Sequence, residues 1–184
     1  MAYLTTTEAR RAAMSKHGSV RLAEADLRAP RRTPMTQTFD IFLSHYSEDA
    51  DIIAGVKALM EADGLRVYVD WLDDPQLART RVTADNARTL RMRMDHSRQL
   101  VYASSQTSSN SRWMPWELGY FDGHHRGHVS ILPIVEPARP AFAGIEFLGL
   151  YPVLERIPFQ DHRTRFARRD QPSGVTTLAK LAQR

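Results

Sequence analysis

The run Phe39-Asp40-Ile41-Phe42-Leu43-Ser44 constrains the fold more than any other segment of the chain. It is too short to cross a membrane and almost continuously apolar, which is the signature of a strand covered on both faces. Such a strand needs a layer on each side, and the following sequence supplies them. Ser47-Glu48-Asp49 offers a cap and first-turn acids to a helix carrying Ile52, Ile53, Val56, Leu59 and Met60 at 3–4 spacing, and Asp63-Gly64 ends it. Leu65–Val69 is β-branched and aromatic, a second strand. A helical stretch over 83–97 precedes a third strand at 99–103. A short helix over 115–123 then leads to a fourth strand at 129–135. Glu146–Tyr151 is expected as a final edge strand and Val175–Gln183 as a closing helix. Strands alternating with helices predict an α/β fold, a parallel sheet with helices on both faces. In such sheets ligands bind outside the carboxyl ends of the strands, here residues 44–46, 70–74, 104–117 and 136–137.

Around this body lie two basic flanks. Residues 1–38 hold seven Arg/Lys against three Asp/Glu, and residues 156–184 seven against two, so the region 39–155 is net acidic. Thr5-Thr6-Thr7-Glu8 caps a helix that Gly18 is expected to stop, and Val20–Leu27 adds a further short turn. Arg28-Ala29-Pro30-Arg31-Arg32-Thr33-Pro34 reads as a linker. The expected organisation is a short N-terminal helical extension and linker (1–38), the α/β core (39–155) and a basic C-terminal segment with a closing helix (156–184). Neither flank interleaves aromatics with its charges, which argues against nucleic acid as a partner.

Composition narrows the class. With 42% hydrophobic and 25% charged residues over 184 positions, the chain is not disordered as a whole. No window approaches the ~18 apolar residues of a membrane-spanning helix, and Met1–Thr6 lacks the apolar core of a secretory signal. The absence of cysteine removes disulfides, thiolate metal sites and Cys nucleophiles. A cytoplasmic protein with no membrane association is the expectation.

The stretch Ser108-Ser109-Asn110-Ser111-Arg112-Trp113-Met114-Pro115-Trp116-Glu117-Leu118-Gly119 carries the chemistry. Pro115 suits a first helical turn. Trp113 and Glu117 are four apart and share a face if the helix begins early enough. A carboxylate beside an aromatic plane can hold a nicotinamide-like ring with a ribose hydroxyl in reach. The same residues equally suit plain packing, with Glu117 favouring the helix dipole. Ser44, His45 and Tyr46 at the end of the first strand, and Asp70 and Trp71 after the second, are candidates to line the same pocket; turn, cap and interface roles stand beside that reading. His124, His125 and His128 have metal-like spacing but no acidic or Cys companion, so no metal site is expected. No Gly-x-Ser-x-Gly elbow and no phosphate-cradling glycine loop is present. A nucleotide here is therefore a consumed substrate, not a resident cofactor, with Arg79, Arg81 or Arg112 available to its phosphates.

The order of the pieces resembles a TIR (Toll/interleukin-1 receptor) domain. Phe39–His45 with Ser47-Glu48-Asp49, Gly64–Asp70, Ser111-x-Trp113-x-x-x-Glu117-Leu118 and Ile131–Ile134 are similar to the family's first strand, second strand, catalytic-helix motif and fourth strand. Met114 stands where the plant-like motif has Cys. The resemblance implies a flavodoxin-like, five-stranded parallel sheet and, in enzymatic members, cleavage of the nicotinamide–ribose bond of NAD⁺. The essential glutamate then falls on Glu117 and its tryptophan on Trp113, with Ser111 in the motif and a long loop over 71–82. It further implies self-association through TIR surfaces. In bacterial members similar to the antiphage Thoeris signal producers, the product is ADP-ribose or a cyclic or conjugated form that acts on a separate effector. A non-enzymatic TIR interaction module, with Glu117 merely a helix residue, is the alternative, and a deoxyribosyltransferase-like enzyme on a related sheet is a third reading.

Overall fold

The computed structural model describes residues 2–17, 33–74, 83–142, 144, 146–170 and 174–183. The expectations for Gly18, Val20–Leu27, the linker up to Arg32, Arg79 and Arg81 lie outside these residues. The first half of the chain runs β1 (Leu4–Thr5), α1 (Thr6–His17), β2 (Phe39–Ser44), α2 (Ala50–Ala62), β3 (Val67–Tyr68), α3 (Asp70–Asp73) and α4 (Ala84–Asp95). It continues with β4 (Ser97–Ser104), α5 (Trp113–His124), β5 (Val129–Val135), β6 (Leu154–Pro158), β7 (Thr164–Asp170), β8 (Gly174–Thr177) and α6 (Leu178–Leu181).

Because strand side chains alternate, each buried strand feeds two cores at once. Ile41, Leu43, Val101, Ala103, Leu132 and Ile134 pack with α1 and α2 on one face, while Phe42, Leu100, Tyr102, Val129 and Ile131 pack with α4 and α5 on the other. The parallel sheet has the order β3-β2-β4-β5-β1. The expected α/β architecture with five parallel strands and helices on both faces is the one found.

The fifth strand is not where it was expected. Glu146–Leu150 forms a 3₁₀ turn. Leu148 is buried and Phe147 and Tyr151 pack against the α4/α5 core, while Leu150 is exposed; this one-sided spacing suits a helical turn rather than a strand. The edge beside β5 is instead taken by the N-terminus, with Leu4 opposite Ile134 and Thr5 opposite Val135, and by a single parallel bridge from Val153 to Ile131.

The N-terminal segment is correspondingly no appendage. Glu8 N–H donates to Thr5 Oγ1 at 3.2 Å and Thr5 N–H to Glu8 Oε2 at 3.0 Å, a reciprocal capping box that starts α1. Ala9 and Ala13, four apart and fully buried, form the face that meets α2. That face lies so close to Gly55 that a Cβ there would sit 1.7 Å from the Ala9 carbonyl oxygen. The boundary expected at residue 38 therefore does not divide the core.

Nor is the C-terminal segment a tail ending in one helix. β6, β7 and β8 make an antiparallel sheet. Val175-Thr176-Thr177, expected to be helical, is β-branched and takes the last strand. Thr177 Oγ1 then accepts from Lys180 N–H at 3.2 Å to cap α6. Leu154, Phe166, Leu178 and Leu181 join the α1/α2 core. Among the described residues no helix is long and apolar enough to cross a membrane.

Candidate active site

Ser111 begins the site. Its Oγ accepts the Met114 N–H at 3.3 Å, so α5 starts at Trp113, and Pro115 falls in the first turn, where its missing N–H forfeits no bond. The helix therefore begins early enough to bury Trp113 and Glu117 together on the face that meets the sheet.

Glu117 is completely enclosed, and Ser44 Oγ donates to its Oε2 at 2.6 Å. Ser44 is likewise fully buried, at the carboxyl end of β2. Opposite it in the β2–β4 register stands Tyr102, also fully buried. Burial, and then the nearby charge of Glu117, push the Tyr102 phenol up to about 12. Its hydroxyl has no hydrogen-bond partner among the described residues. Trp113, 8% exposed, is the member of this group nearest solvent; its ring meets Trp116 edge-on at 5.5 Å.

His45, one residue beyond Ser44, turns to the opposite face, as the strand's period of two dictates. Trp71 Nε1 donates to His45 Nε2 at 2.6 Å, and His45 Nδ1 lies 2.8 Å from the Leu43 carbonyl. An indole N–H can only donate, so the imidazole is neutral with its proton on Nδ1. Asp70 Oδ1 lies 3.4 Å from the same Nε2. The predicted residues thus separate into two groups: Ser44, Trp113 and Glu117 on the α4/α5 side, and His45, Asp70 and Trp71 against the α1/α2 core. Tyr46, half-buried, packs with the first. Arg112 is exposed.

Asp49, expected as a first-turn acid of the helix, has another task. Its carboxylate accepts Ser105 Oγ at 2.6 Å and Thr107 Oγ1 at 2.8 Å, tying the segment after β4 to the start of α2. A hollow of about 630 Å³ opens beside it, lined by Thr6, Arg10, Asp49, Thr107, Glu136 and Arg139 among others, and does not include Glu117. Several of its polar groups are already engaged: Thr6 Oγ1 donates to Glu136 Oε2 at 3.0 Å, and Arg10 pairs with Asp51, outside the lining, at 2.6 Å.

Two features escape sequence inspection. Tyr102 reads as one more apolar strand residue, because its register against Ser44 is a property of the sheet. Arg93, fully buried, grips Asp74 with Nε at 2.7 Å and Nη2 at 2.9 Å and donates to the carbonyls of Thr33 and Pro34. The three histidines diverge: His124 Nδ1 is 2.8 Å from the Tyr120 carbonyl, His125 leans on Phe121, and His128 Nδ1 is 2.9 Å from Gln99 Nε2.

No family model matches the chain. Over 119 residues, 64% of its length, it is 46% identical to the "Probable 3' cyclic ADP-D-ribose synthase ThsB'" of Bacillus cereus strain MSX-D12. Over 85 residues, 46% of its length, it is 24% identical to TIR2 of Cytobacillus dafuensis, a protein also named for cyclic ADP-D-ribose synthesis. The matches span 61% and 22% of those two proteins' own lengths. Among solved structures, the TIR domain of the Toll-related receptor TRR-2 of Hydra magnipapillata aligns with a TM-score of 0.45 at 21% identity, covering 63% of this chain and 84% of that one. In this sheet the N-terminal β1–α1 unit completes the β5 edge.

Proposed function

We propose that this chain is an enzyme that cleaves the nicotinamide–ribose bond of NAD⁺, with Glu117 as its catalytic carboxylate, and releases nicotinamide and a cyclic form of ADP-ribose. The observation that carries the reading is the enclosed Glu117 carboxylate, held by Ser44 at the carboxyl end of a central strand of the parallel sheet. The names of the two relatives supply the product class, a cyclic ADP-D-ribose, and NAD⁺ as the substrate is what the family resemblance implies.

The chemistry asks for one carboxylate. When the C1′–N bond breaks, its electron pair returns to the pyridinium nitrogen, so nicotinamide leaves neutral and no general acid is required. The ribosyl centre left behind is oxocarbenium-like and cationic. Glu117, enclosed in the fold, stabilises that charge and orients the ribose hydroxyls, in contrast to glycosidases that need a carboxyl pair. Ser44 fixes the carboxylate's orientation in advance. A hydroxyl of the same molecule then attacks C1′ and loses its proton, closing the ring; attack by water instead gives ADP-ribose. NAD⁺ is consumed and no cofactor takes part.

Substrate reaches the carboxylate past Trp113, the least buried member of the group. Ser111 acts by setting the start of α5, and Tyr46 packs against the same core. His45, Asp70 and Trp71 fix the exit of β2 to the segment after β3 and support the site from the other face. Self-association through TIR surfaces and a separate effector that receives the product complete this reading, in a cytoplasmic setting and, as the family resemblance implies, in antiphage signalling.

Purified chain incubated with NAD⁺ at rising protein concentration tests it. Nicotinamide release in the wild type, abolished in a folded Glu117→Gln variant, is the expected result. No release at any concentration would leave a non-enzymatic interaction module.

A further inference from the structure

The Tyr102 hydroxyl is a buried polar group that the chemistry above leaves unused. It is fully enclosed, it has no hydrogen-bond partner among the described residues, and it sits across the strand pair from Ser44, the residue that bonds Glu117. A buried hydroxyl without a partner costs the folded state about 1–3 kcal/mol, and phenylalanine would fill the same place in the core without that cost. The ring alone explains the packing: it belongs to the apolar layer formed by Phe42, Leu100, Trp113 and Leu118. The oxygen is unexplained by the fold.

Its chemistry is definite. Burial and the neighbouring carboxylate keep the phenol protonated across all physiological pH. It therefore offers a fixed donor beside an acceptor-only carboxylate, with Ser44 already spent on the latter. A ribose hydroxyl is both donor and acceptor, so it can give its hydrogen to Glu117 and receive one from Tyr102. A group with only donors would leave the phenolic hydrogen unpaired, and one with only acceptors could not use the carboxylate.

We propose that Tyr102 is a substrate-binding residue, whose hydroxyl donates to an oxygen of the ribose that Glu117 orients. This inference rests on the NAD⁺-cleaving reading above and adds the specificity element: the pair discriminates a ribose hydroxyl from a deoxy sugar at that position. No proton is transferred by Tyr102, and no covalent bond forms to it.

The test is Tyr102→Phe, which removes one oxygen and keeps the ring. Thermal unfolding of wild type and variant is followed without ligand, with NAD⁺ and with ADP-ribose, alongside NAD⁺ turnover. Without ligand the variant is expected to melt at the same temperature or higher, since it sheds an unpartnered hydroxyl. With ligand, the affinity derived from the melting shift falls about tenfold and kcat/KM about tenfold, the loss of one neutral hydrogen bond of about 1.4 kcal/mol. Equal ligand-induced shifts and equal turnover in the two proteins would overturn the proposal. A lower ligand-free melting temperature would also overturn it, since the hydroxyl would then be structural. If the wild type binds ADP-ribose but does not consume NAD⁺, the enzymatic reading fails while the binding comparison still decides the role of Tyr102. A wild type that neither binds nor turns over refutes both.

Discussion

Replacing Gly55 with alanine tests whether the N-terminal unit is part of the sheet. In an ordinary helix interior this change stabilises by about 1 kcal/mol, because alanine loses less backbone entropy. Here the added Cβ would lie 1.7 Å from the Ala9 oxygen, 2.4 Å from its carbonyl carbon and 2.9 Å from its Cα. All three are backbone atoms, so no rotamer relieves the overlap. Restoring a separation of about 3.5 Å requires α1 and α2 to part by more than about 1 Å along most of their contact. The parting loosens Leu4, Ala9 and Ala13, all fully buried, and with them the pairing of β1 to β5. Overpacking of this kind and partial loss of the docked leucine together cost about 3–5 kcal/mol against the ~1 kcal/mol propensity gain, a net loss of about 2–4 kcal/mol. For a chain of this size that lowers Tm by roughly 5–15 °C. Urea and thermal unfolding of the full chain, monitored by circular dichroism, measure it. A variant as stable as wild type, or about 1 kcal/mol more stable, would show that α1 does not sit on α2 and would refute the five-strand topology.

Arg93→Met leaves Asp74 buried without its cation and removes the donors to Thr33 and Pro34. It is expected to cost about 3–5 kcal/mol by urea denaturation, most of it recovered in the double variant Arg93→Met/Asp74→Leu, which removes both charges. Glu61 carries a pH signature: burial opposes its ionisation, but Lys57 and Lys16 overcome this and hold the carboxyl below its ordinary value of 4.5. A depressed carboxyl contributes stability that is present above the unfolded value and lost as pH falls through the folded one. Glu61→Gln should therefore be about 0.5–1 kcal/mol less stable than wild type at pH 7, with the gap closing as pH falls below about 4.5. A gap that stays constant down to acid unfolding would show that the ion pairs contribute nothing.

Much of the fold was legible because its signals are local. The apolar run of β2, the β-branched run of β5 and the helix stop at Asp63-Gly64 each need only their own residues. What sequence could not supply was partnership. Thr5-Thr6-Thr7-Glu8 announces a helix start, yet nothing in it says that Leu4 will pair with Ile134, 130 positions away. Val175-Thr176-Thr177 has strand propensity, but its neighbours across β7 decide the outcome. The site divides the same way. The spacing of Trp113 and Glu117 on one helix was readable, and so was the proximity of Ser44 to a strand end. Grouping Ser44 with His45 overlooked the alternation that sends adjacent strand residues to opposite faces. Tyr102 was hidden because its position opposite Ser44 is a matter of β2–β4 register.

The central claim is that Glu117 stabilises a ribosyl cation formed from NAD⁺. Mass spectrometry of reaction mixtures containing wild-type protein or a folded Glu117→Ala variant tests it most directly. The account predicts nicotinamide together with a cyclic ADP-ribose in the wild-type mixture, and a rate lower by at least about 10²–10³ in the variant. A folded variant that forms the same products at a near wild-type rate would contradict it.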